Sequence, residues 1–511
     1  MALTMKLEVE GLKELREMNP LMMSYNVEFA EVTGGTFWKA YTPEQIAGTE
    51  PFVVRPSEEG GITALYKDLM QVYPPIDLYN EKLRKLTKDL GEAWVRVSGT
   101  WATKTYYDFD GTTNGQVPEG YLNVLTKEQW IGVLDFVKEC GLRLKVSVAN
   151  CPGLHTAEEP WHPAEAEKLF GFSKEYGVPI QAAEFTNEPN MMEETGFPKG
   201  YKAEHYRRDQ DLFFKWLDEN YPEVLKVGPS TTGGDNVTFG KKTQDGGAGG
   251  VELLVKETVG CDDLMAGTEV PLDVFSYHYY NGLSDRLASI MPQGHWQPEE
   301  ATSEEYLDTA LNFCKTYIPF RDKYVPGAEM WVTESGDAGG GGDTWASTFL
   351  DVFRTLNELG GFASLTNGVI FHNTLASSDY GFLARQVFDP RPNYFAVLLW
   401  NRLMGTKVYD SNIQSQEGAH VYVHSRKDGK EGCVYLVINN SRTEATTVTL
   451  PKNAQRYKLE GKDGNIRATV MTCNGKDLVL GENYALPEIT PVEVQAGNVE
   501  VAPATIEFFV F

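Results

Sequence analysis

The feature that most constrains the fold is a series of eight short apolar segments between residues 22 and 405. From the third onward they begin 37, 45, 48, 56 and 39 residues apart, which leaves room for a strand, a loop and a returning helix. The stretches between them have helical periodicity; in 126–141, apolar side chains recur at i, i+3, i+4 and i+7 from Trp130. Eight such α/β units favour a (β/α)8 TIM barrel over an open doubly wound sheet. The predicted strands are 24–29, 93–97, 143–149, 180–186, 225–228, 273–279, 329–333 and 368–372.

The pattern changes after about residue 406. Residues 419–425 and 433–438 alternate between apolar and polar side chains and are joined across Lys427-Asp428-Gly429-Lys430, which predicts a β-hairpin. Short strand-like segments separated by turn residues, as here, are typical of an antiparallel β-sandwich. We therefore predict a barrel over 22–405 and a C-terminal β-sandwich domain over 406–511, completed by residues 1–21. The further strand-like segments are 445–450, 476–480 and 505–510.

Composition excludes several kinds of partner. The chain has 72 acidic and 46 basic residues, a net charge of −26, which would repel a phosphate backbone, so no nucleic acid is expected. No apolar run approaches the roughly 20 residues that a membrane span needs. The first residues carry no export signal, so we expect a cytoplasmic location, or secretion if a leader has been trimmed from the start.

The sequence also gives no reason to expect a metal or another cofactor. The six cysteines form no C-x-x-C pair and no Cys/His cluster with zinc spacing, which favours reduced, buried thiols over a disulfide framework. No glycine-rich phosphate-binding motif follows the first predicted strand, and this removes the common nucleotide-binding folds.

Two predicted strand ends carry a glutamate. Strand four ends in Thr186–Asn190 and strand seven in Thr333–Gly336, which contain Glu188 and Glu334. In a barrel the carboxyl ends of the strands converge on one face, so these two side chains can lie opposite each other. Hydrolysis of a glycosidic bond requires such a pair, and Asn187 adds an amide for the sugar 2-hydroxyl. The alternative is that each glutamate caps a helix or forms a salt bridge.

Two further segments could line the same face. Strand six ends in 277–282, which brings His278 and two tyrosines; such groups can orient a carboxylate or stack on a sugar ring, although the histidine could equally be structural. The run Gly339–Gly342 precedes a predicted helix, and its exposed N–H groups could bind an anion. The alternative for this run is a flexible linker.

These segments carry a family resemblance. TNEPN, YHYYNG, TESGDAGGGG, SSDYGFL and RPNYFAVLLWNRLMGTKV are similar to the heparanase and β-glucuronidase family, glycoside hydrolase family 79. The resemblance runs in order from about Val27 to Val408, and the β-domain that follows also fits the family. Asn-Glu-Pro is shared by many barrel glycosidases, whereas the glycine run and the final segment are more specific.

The resemblance implies a role for each matching residue. Glu188 matches the acid/base and Glu334 the nucleophile, with Tyr280 and His278 around it. Thr333 and Ser335 depart from the residues that the resemblance leads one to expect beside the nucleophile. The implied substrate contacts are Asn187 for the 2-hydroxyl, Glu28 and Thr100 for other hydroxyls, and Gly340, Gly341 and Tyr380 for the uronic carboxylate.

The resulting hypothesis is a retaining β-glucuronidase, a hydrolase that acts on glucuronides. The acidic chain has few basic doublets, which favours exo action on small glucuronides or short oligosaccharides over an endo-acting, heparanase- or hyaluronidase-like enzyme. Two alternatives are a relative that cleaves a neutral sugar, which leaves the glycine run without a purpose, and a non-catalytic glycan-binding protein, which does not need opposed carboxylates. The oligomeric state is left open.

Overall fold

The structure is a computed structural model that describes residues 3–54, 69–233, 235, 259–289 and 291–511. Within these ranges, eight parallel strands pair in chain order and close into a barrel. Every predicted strand is present, so the predicted fold class is confirmed. The strands are β1 Met23–Glu28, β2 Trp94–Ser98, β3 Arg143–Ser147, β4 Ala182–Glu184, β5 Leu225–Thr232, β6 Val274–Leu283, β7 Glu329–Gly339 and β8 Gly368–His372.

A helix follows each strand and packs outside the barrel. The second of these helices shows how the sequence sets the helix ends. It starts at Lys127 with a capping box between Thr126 and Gln129, and it stops at Gly141, whose φ is +67°. The helices are α1 Glu81–Leu90, α2 Lys127–Cys140, α3 Ala164–Glu175, α4 Ala203–Asn220, α5 Cys261–Met265, α6 Glu304–Tyr324, α7 Leu350–Leu365 and α8 Pro392–Leu403.

Shorter elements cover the carboxyl ends of the strands. A two-stranded antiparallel sheet, Gly35–Trp38 with Met70–Tyr73, lies in the connection from β1 to α1. A parallel pair, Thr105–Asp108 with Asn123–Thr126, lies between β2 and α2. The short helices are Phe29–Thr33, Pro43–Ala47 and Asp285–Ala288. These segments lengthen the loops on the face where a barrel places its functional groups.

The barrel interior changes in character from bottom to top. Near the amino ends of the strands it is filled by a small apolar cluster that includes Trp94 and Trp331. One layer higher it is charged, because the buried side chains there include Arg96, Lys145 and Glu184. Since side chains of alternate residues along a strand share a face, Arg96 sits one layer above Trp94.

The chain after α8 forms an antiparallel β-domain that includes the amino terminus. Leu3–Lys6 pairs in parallel with Thr446–Leu450, and Glu14–Glu17 pairs with Met404–Tyr409, so the N-terminal segment completes both sheets as expected. The predicted hairpin is formed by antiparallel pairing of the two strands on either side of Gly429. An apolar cluster lies between the sheets. The remaining strands are His420–Arg426, Cys433–Asn439, Ala454–Gly461, Met471–Cys473, Lys476–Asp477, Val492–Val494, Gly497–Val501 and Thr505–Val510.

All six cysteines are free and buried, in agreement with the prediction of reduced thiols. Among the described residues, no helix has the length and apolar character needed to cross a membrane.

Candidate active site

A register shift in β7 sets the direction of Glu334. The pairing of β7 with β6 slips between Val332 and Glu334, and a bulge of this kind lets two consecutive residues point to the same side of a sheet. The Thr333 hydroxyl lies 3.1 Å from Oγ of Ser230 inside the barrel. The carboxylate of Glu334 also points inward, where Arg96 donates to it over 3.0 Å.

Two donors hold the carboxylate of Glu334. Nη1 of Arg96 donates to Oε1, and the hydroxyl of Tyr280 donates to Oε2 over 2.6 Å. The carboxylate is buried, and bonds from a cation and a hydroxyl stabilise its negative charge there. A charged carboxylate with both oxygens fixed is the form that a nucleophile requires.

Glu188 lies just beyond the end of β4 in a left-handed backbone conformation, with a φ of +46°. Non-glycine residues rarely adopt this region, and such strain recurs at functional sites. Burial raises the pKa of Glu188 to about 7, although a hydrogen bond with Thr232 and the charge of Arg96 act in the opposite direction. Below about pH 7 this side chain therefore carries the proton that a general acid needs.

His278 lies between the two glutamates. Burial lowers its pKa to about 4, against the opposing effect of Glu334, so the ring is neutral near pH 7. Nε2 lies 3.5 Å from Nη2 of Arg96, which can only donate, and we therefore assign the ring proton to Nδ1. Nδ1 then donates to Oε1 of Glu188 over 2.9 Å, and it lies 3.6 Å from Oε2 of Glu334.

The carboxylates of Glu188 and Glu334 face each other across the barrel mouth. One oxygen of each, with a ring nitrogen of His278, lies within 4.8 Å of the other two atoms. In glycosidases, carboxyl groups about 5–5.5 Å apart accompany a covalent intermediate, whereas separations of about 6.5–9.5 Å leave room for an attacking water. The close approach in this barrel fits direct attack by a carboxylate.

Two groups of side chains in the described ranges have the spacing of metal ligands. The groups are Glu188, His278 and Glu334, and Asp285, His295 and Asp343. In the first group, Arg96 already supplies a positive charge. In the second, hydrogen bonds to both aspartates raise the pKa of His295 to about 11 against the effect of burial. A protonated ring between two carboxylates accounts for the second group without an ion.

Arg96 connects the two predicted catalytic strand ends. Besides Glu334, it donates from Nη2 to Oε1 of Glu184 and to Oδ1 of Asn187, both over 2.6 Å. The bond to Oδ1 fixes the orientation of the Asn187 amide, whose Nδ2 lies 3.5 Å from the hydroxyl of Thr100. The amide donor of Asn187 thus stays available on the side of Thr100, which is itself partly exposed.

Other polar side chains inside the barrel hold Glu184, the partner of Arg96. Lys145 pairs with the second oxygen of Glu184, and Ser230 donates to that oxygen over 2.6 Å. Burial lowers the pKa of Lys145 to about 7, although the charge of Glu184 acts in the opposite direction. Since Glu184 has a donor on each oxygen, its charge is paired, and the position of Arg96 is set from two sides.

Glu28, the last residue of β1, points into the same space. Burial raises its pKa well above the ordinary range, the charge of Glu334 raises it further, and Arg96 opposes both. Gly99 makes room for the carboxyl group, because a Cβ there would lie 1.9 Å from Oε2 of Glu28. A buried acid beside the nucleophile can donate to, or accept from, a sugar hydroxyl.

The glycine run is a rigid turn. Gly340, Gly341 and Gly342 all have φ values between +86° and +91°, a region that other residues rarely adopt. A Cβ on Gly341 would also lie 2.8 Å from Cβ of Trp38. Within the described ranges, no acceptor is found for the N–H groups of Gly340 and Gly341.

Tyr380 joins the glycine run to the nucleophile. Asn373 donates to the hydroxyls of both Tyr280 and Tyr380, over 2.8 Å and 3.1 Å, and the two rings stack with their centroids 6.5 Å apart. A Cβ on Gly342 would meet the backbone of Tyr380 at 3.0 Å. Hydrogen bonds and close contacts therefore link the residues named from the sequence into one group at the carboxyl ends of the strands.

Arg96, Glu184 and Asn373 were not predicted from the sequence. The predicted site residues follow strand ends, whereas Arg96 lies within an apolar strand and Glu184 at the end of another, one layer below the barrel mouth. A charged residue in the middle of an otherwise apolar segment, as in AWVRV, was the available signal, since such a charge must be paired once it is buried. Nothing in the sequence distinguishes Asn373.

Comparisons with known proteins find relatives over most of the chain. The chain is 24% identical over 466 residues to a baicalin-β-D-glucuronidase of Scutellaria baicalensis, covering 85% of this chain and 83% of the relative. It is 25% identical to the heparanase of Mus musculus over 71% of this chain and 67% of the relative. A 4-O-α-L-rhamnosyl-β-D-glucuronidase from Fusarium oxysporum shares the fold, with a TM-score of 0.64 at 11% identity over the whole of both chains. No family model matches the chain.

A barrel with two opposed glutamates at its mouth, together with these relatives, defines the class of protein: it is a glycoside hydrolase. The relatives extend over most of the chain and confirm its resemblance to the heparanase and β-glucuronidase family, glycoside hydrolase family 79.

Proposed function

We propose that this protein is a retaining β-glucuronidase that removes terminal glucuronate from small glucuronides or short oligosaccharides. The observation that carries the proposal is that a carboxylate oxygen of Glu188 lies within 4.8 Å of a carboxylate oxygen of Glu334 at the barrel mouth. The glucuronidase name of a relative that matches most of the chain supports the choice of sugar.

In the first step, a carboxylate oxygen of Glu334 attacks the anomeric carbon. The bond from that carbon to Glu334 forms as the glycosidic bond breaks, and Glu188 transfers its proton to the leaving oxygen. Nδ1 of His278 donates to Oε1 of Glu188, so the transferred proton resides on Oε2. Arg96 and Tyr280 stabilise the negative charge of Glu334 until the new bond forms.

In the second step, Glu188 acts as a base. Having lost its proton, it takes one from a water, and the resulting hydroxide attacks the anomeric carbon and releases Glu334. The amide of Asn187, which Arg96 orients, is placed to donate to the 2-hydroxyl as positive charge develops on the ring. The net configuration at the anomeric carbon is retained.

The test measures which sugar is hydrolysed and which anomer of the product is released first. Turnover of p-nitrophenyl β-glucuronide, with the β-anomer of glucuronate seen first by NMR, is the expected result. An α-anomer formed first would overturn the retaining mechanism, and equal turnover of the β-glucoside would favour a neutral-sugar hydrolase.

An endo-acting enzyme is the second candidate, since mouse heparanase is among the relatives. Incubation with a glucuronate-containing polymer separates the two. Exo action releases monosaccharide from the start, whereas endo action shortens the polymer before any monosaccharide appears.

A further inference from the structure

The segment after β6 is bound along its length to the glycine run. The backbone N–H of Ser284 donates to the carbonyl of Gly339 over 2.9 Å, and its hydroxyl donates to the carbonyl of Gly340 over 2.9 Å. Nη1 of Arg286 donates to the carbonyls of Gly340 and Gly342, over 3.0 Å and 2.9 Å. The carbonyl of Gly340 therefore accepts from two side chains, and one of them is a cation.

That carbonyl belongs to the same peptide unit as the N–H of Gly341. In a planar trans peptide the two groups point in opposite directions, so the N–H of Gly341 points away from Ser284 and Arg286. Two donors on the carbonyl oxygen polarise the peptide and strengthen the N–H as a donor, because hydrogen bonds in a chain reinforce one another. The N–H of Gly341 has no acceptor among the described residues.

Arg286 is fixed in this position. Its guanidinium is buried and pairs with Asp379, and it lies 3.8 Å from the centre of the Tyr41 ring. The backbone N–H of Asp379 donates to the carbonyl of Gly341 over 3.0 Å. Arg286 and Asp379 thus donate hydrogen bonds to three consecutive carbonyls, those of Gly340, Gly341 and Gly342.

The charge of Arg286 also reaches Tyr380. Burial raises the pKa of Tyr380 well above its ordinary range, and the charges of Glu28 and Glu334 raise it further, whereas Arg286 acts to lower it. A substrate carboxylate placed beside Tyr380 would therefore be repelled by the negative charge of Glu334. Arg286 and Arg385 are cations that act on Tyr380 and favour an anion beside it, and Arg286 is the one that also binds the glycine carbonyls.

We propose that Arg286 and Ser284 are the positioning residues that give this site its selectivity for a carboxylate at C6 of the sugar. They act through the Gly340–Gly341 peptide, whose N–H they aim and polarise, and neither needs to touch the substrate. This inference rests on the proposed function, in which Gly340, Gly341 and Tyr380 bind the uronic carboxylate. The selectivity then depends on the buried guanidinium of Arg286 and the hydroxyl of Ser284, which bind the carbonyl side of this peptide.

The test compares kcat/KM for p-nitrophenyl β-glucuronide and β-glucoside. Arg286→Lys keeps a positive charge but loses the paired donors, and it should lower the glucuronide-to-glucoside ratio about 10-fold, mainly through KM for the glucuronide. Ser284→Ala leaves the Arg286–Asp379 pair intact and should lower the ratio about 3-fold. Ser284→Thr, which retains the hydroxyl, should restore it.

A matched control is Arg456→Lys, because Arg456 also pairs with a carboxylate and a backbone carbonyl, but in the β-domain. It should leave the ratio unchanged. If Arg286→Lys does not fold, Ser284→Ala carries the test alone. A ratio that stays constant in the folded variants, while both substrates slow equally, would overturn the inference. If the unmodified enzyme shows no preference for the glucuronide, it is the proposed function that fails.

Discussion

Nδ1 of His278 lies 2.9 Å from Oε1 of Glu188, and this contact decides which oxygen of the acid holds its proton. The pKa of His278 is lowered to about 4 by burial, so the ring donates from Nδ1 as a neutral group. Oε1 of Glu188 is then an acceptor, and Oε2 carries the proton. The same nitrogen lies 3.6 Å from Oε2 of Glu334, so the imidazole lies between the two glutamates.

The alkaline limb of the pH–rate profile should belong to Glu188. Its pKa is raised to about 7, and the acid form is the active one, so activity is present below that pH and is lost as pH rises through about 7. In kcat/KM for p-nitrophenyl β-glucuronide we expect a fall of about 10-fold per pH unit above the pKa. The Glu188→Gln variant should lack this limb. A profile flat from pH 5 to 9 in folded protein would contradict the assignment.

The two glutamates should differ in how their loss depends on the leaving group. Glu334→Gln removes the nucleophile and should abolish turnover of every glucuronide. Glu188→Gln removes the proton donor, so it should slow substrates with poor leaving groups by several orders of magnitude more than dinitrophenyl glucuronide, which needs little protonation. The measurement is kcat/KM across a series of aryl glucuronides. An equal loss across the series would show that Glu188 is not the acid.

Arg96 should matter for stability as well as for activity. Arg96→Met removes the cation that pairs with Glu334 and leaves Lys145 as the cation that still pairs with Glu184. Breaking a buried pair from one side costs about 3–5 kcal/mol of the free energy of unfolding. Urea denaturation of both proteins measures this loss. As a control, Arg426→Met breaks a pair with an exposed aspartate at the edge of the β-domain, and it should cost far less. Equal losses of unfolding free energy in the two variants would show that the buried ion pairs of Arg96 stabilise the fold no more than an exposed pair does.

The barrel could be predicted because its strands are apolar and regularly spaced, and Glu188 and Glu334 because they follow two of those strands. The register shift that turns Glu334 inward could not, since it depends on how β7 pairs with β6. The extension of β7 to Gly339 could not be predicted either, because its last residues are mostly polar or glycine and are held by pairing with the equally extended β6. In the β-domain, Ala454–Gly461 was missed because its side chains are mostly half-buried and polar, without clear alternation.

Tyr380 should discriminate between a carboxylate and a hydroxymethyl group at C6. Its hydroxyl accepts a hydrogen bond from Asn373, which leaves its own proton free for a substrate acceptor. A bond from such a donor to a charged acceptor is worth about 1.5–3 kcal/mol. Tyr380→Phe should therefore lower kcat/KM for p-nitrophenyl β-glucuronide about 10- to 100-fold, while β-glucoside turnover changes little. Tyr484→Phe, an exposed tyrosine in the β-domain, is the control and should leave both rates unchanged. If Tyr380→Phe slows turnover of both sugars equally, the hydroxyl of Tyr380 supports Tyr280 through Asn373 and does not bind the substrate carboxylate.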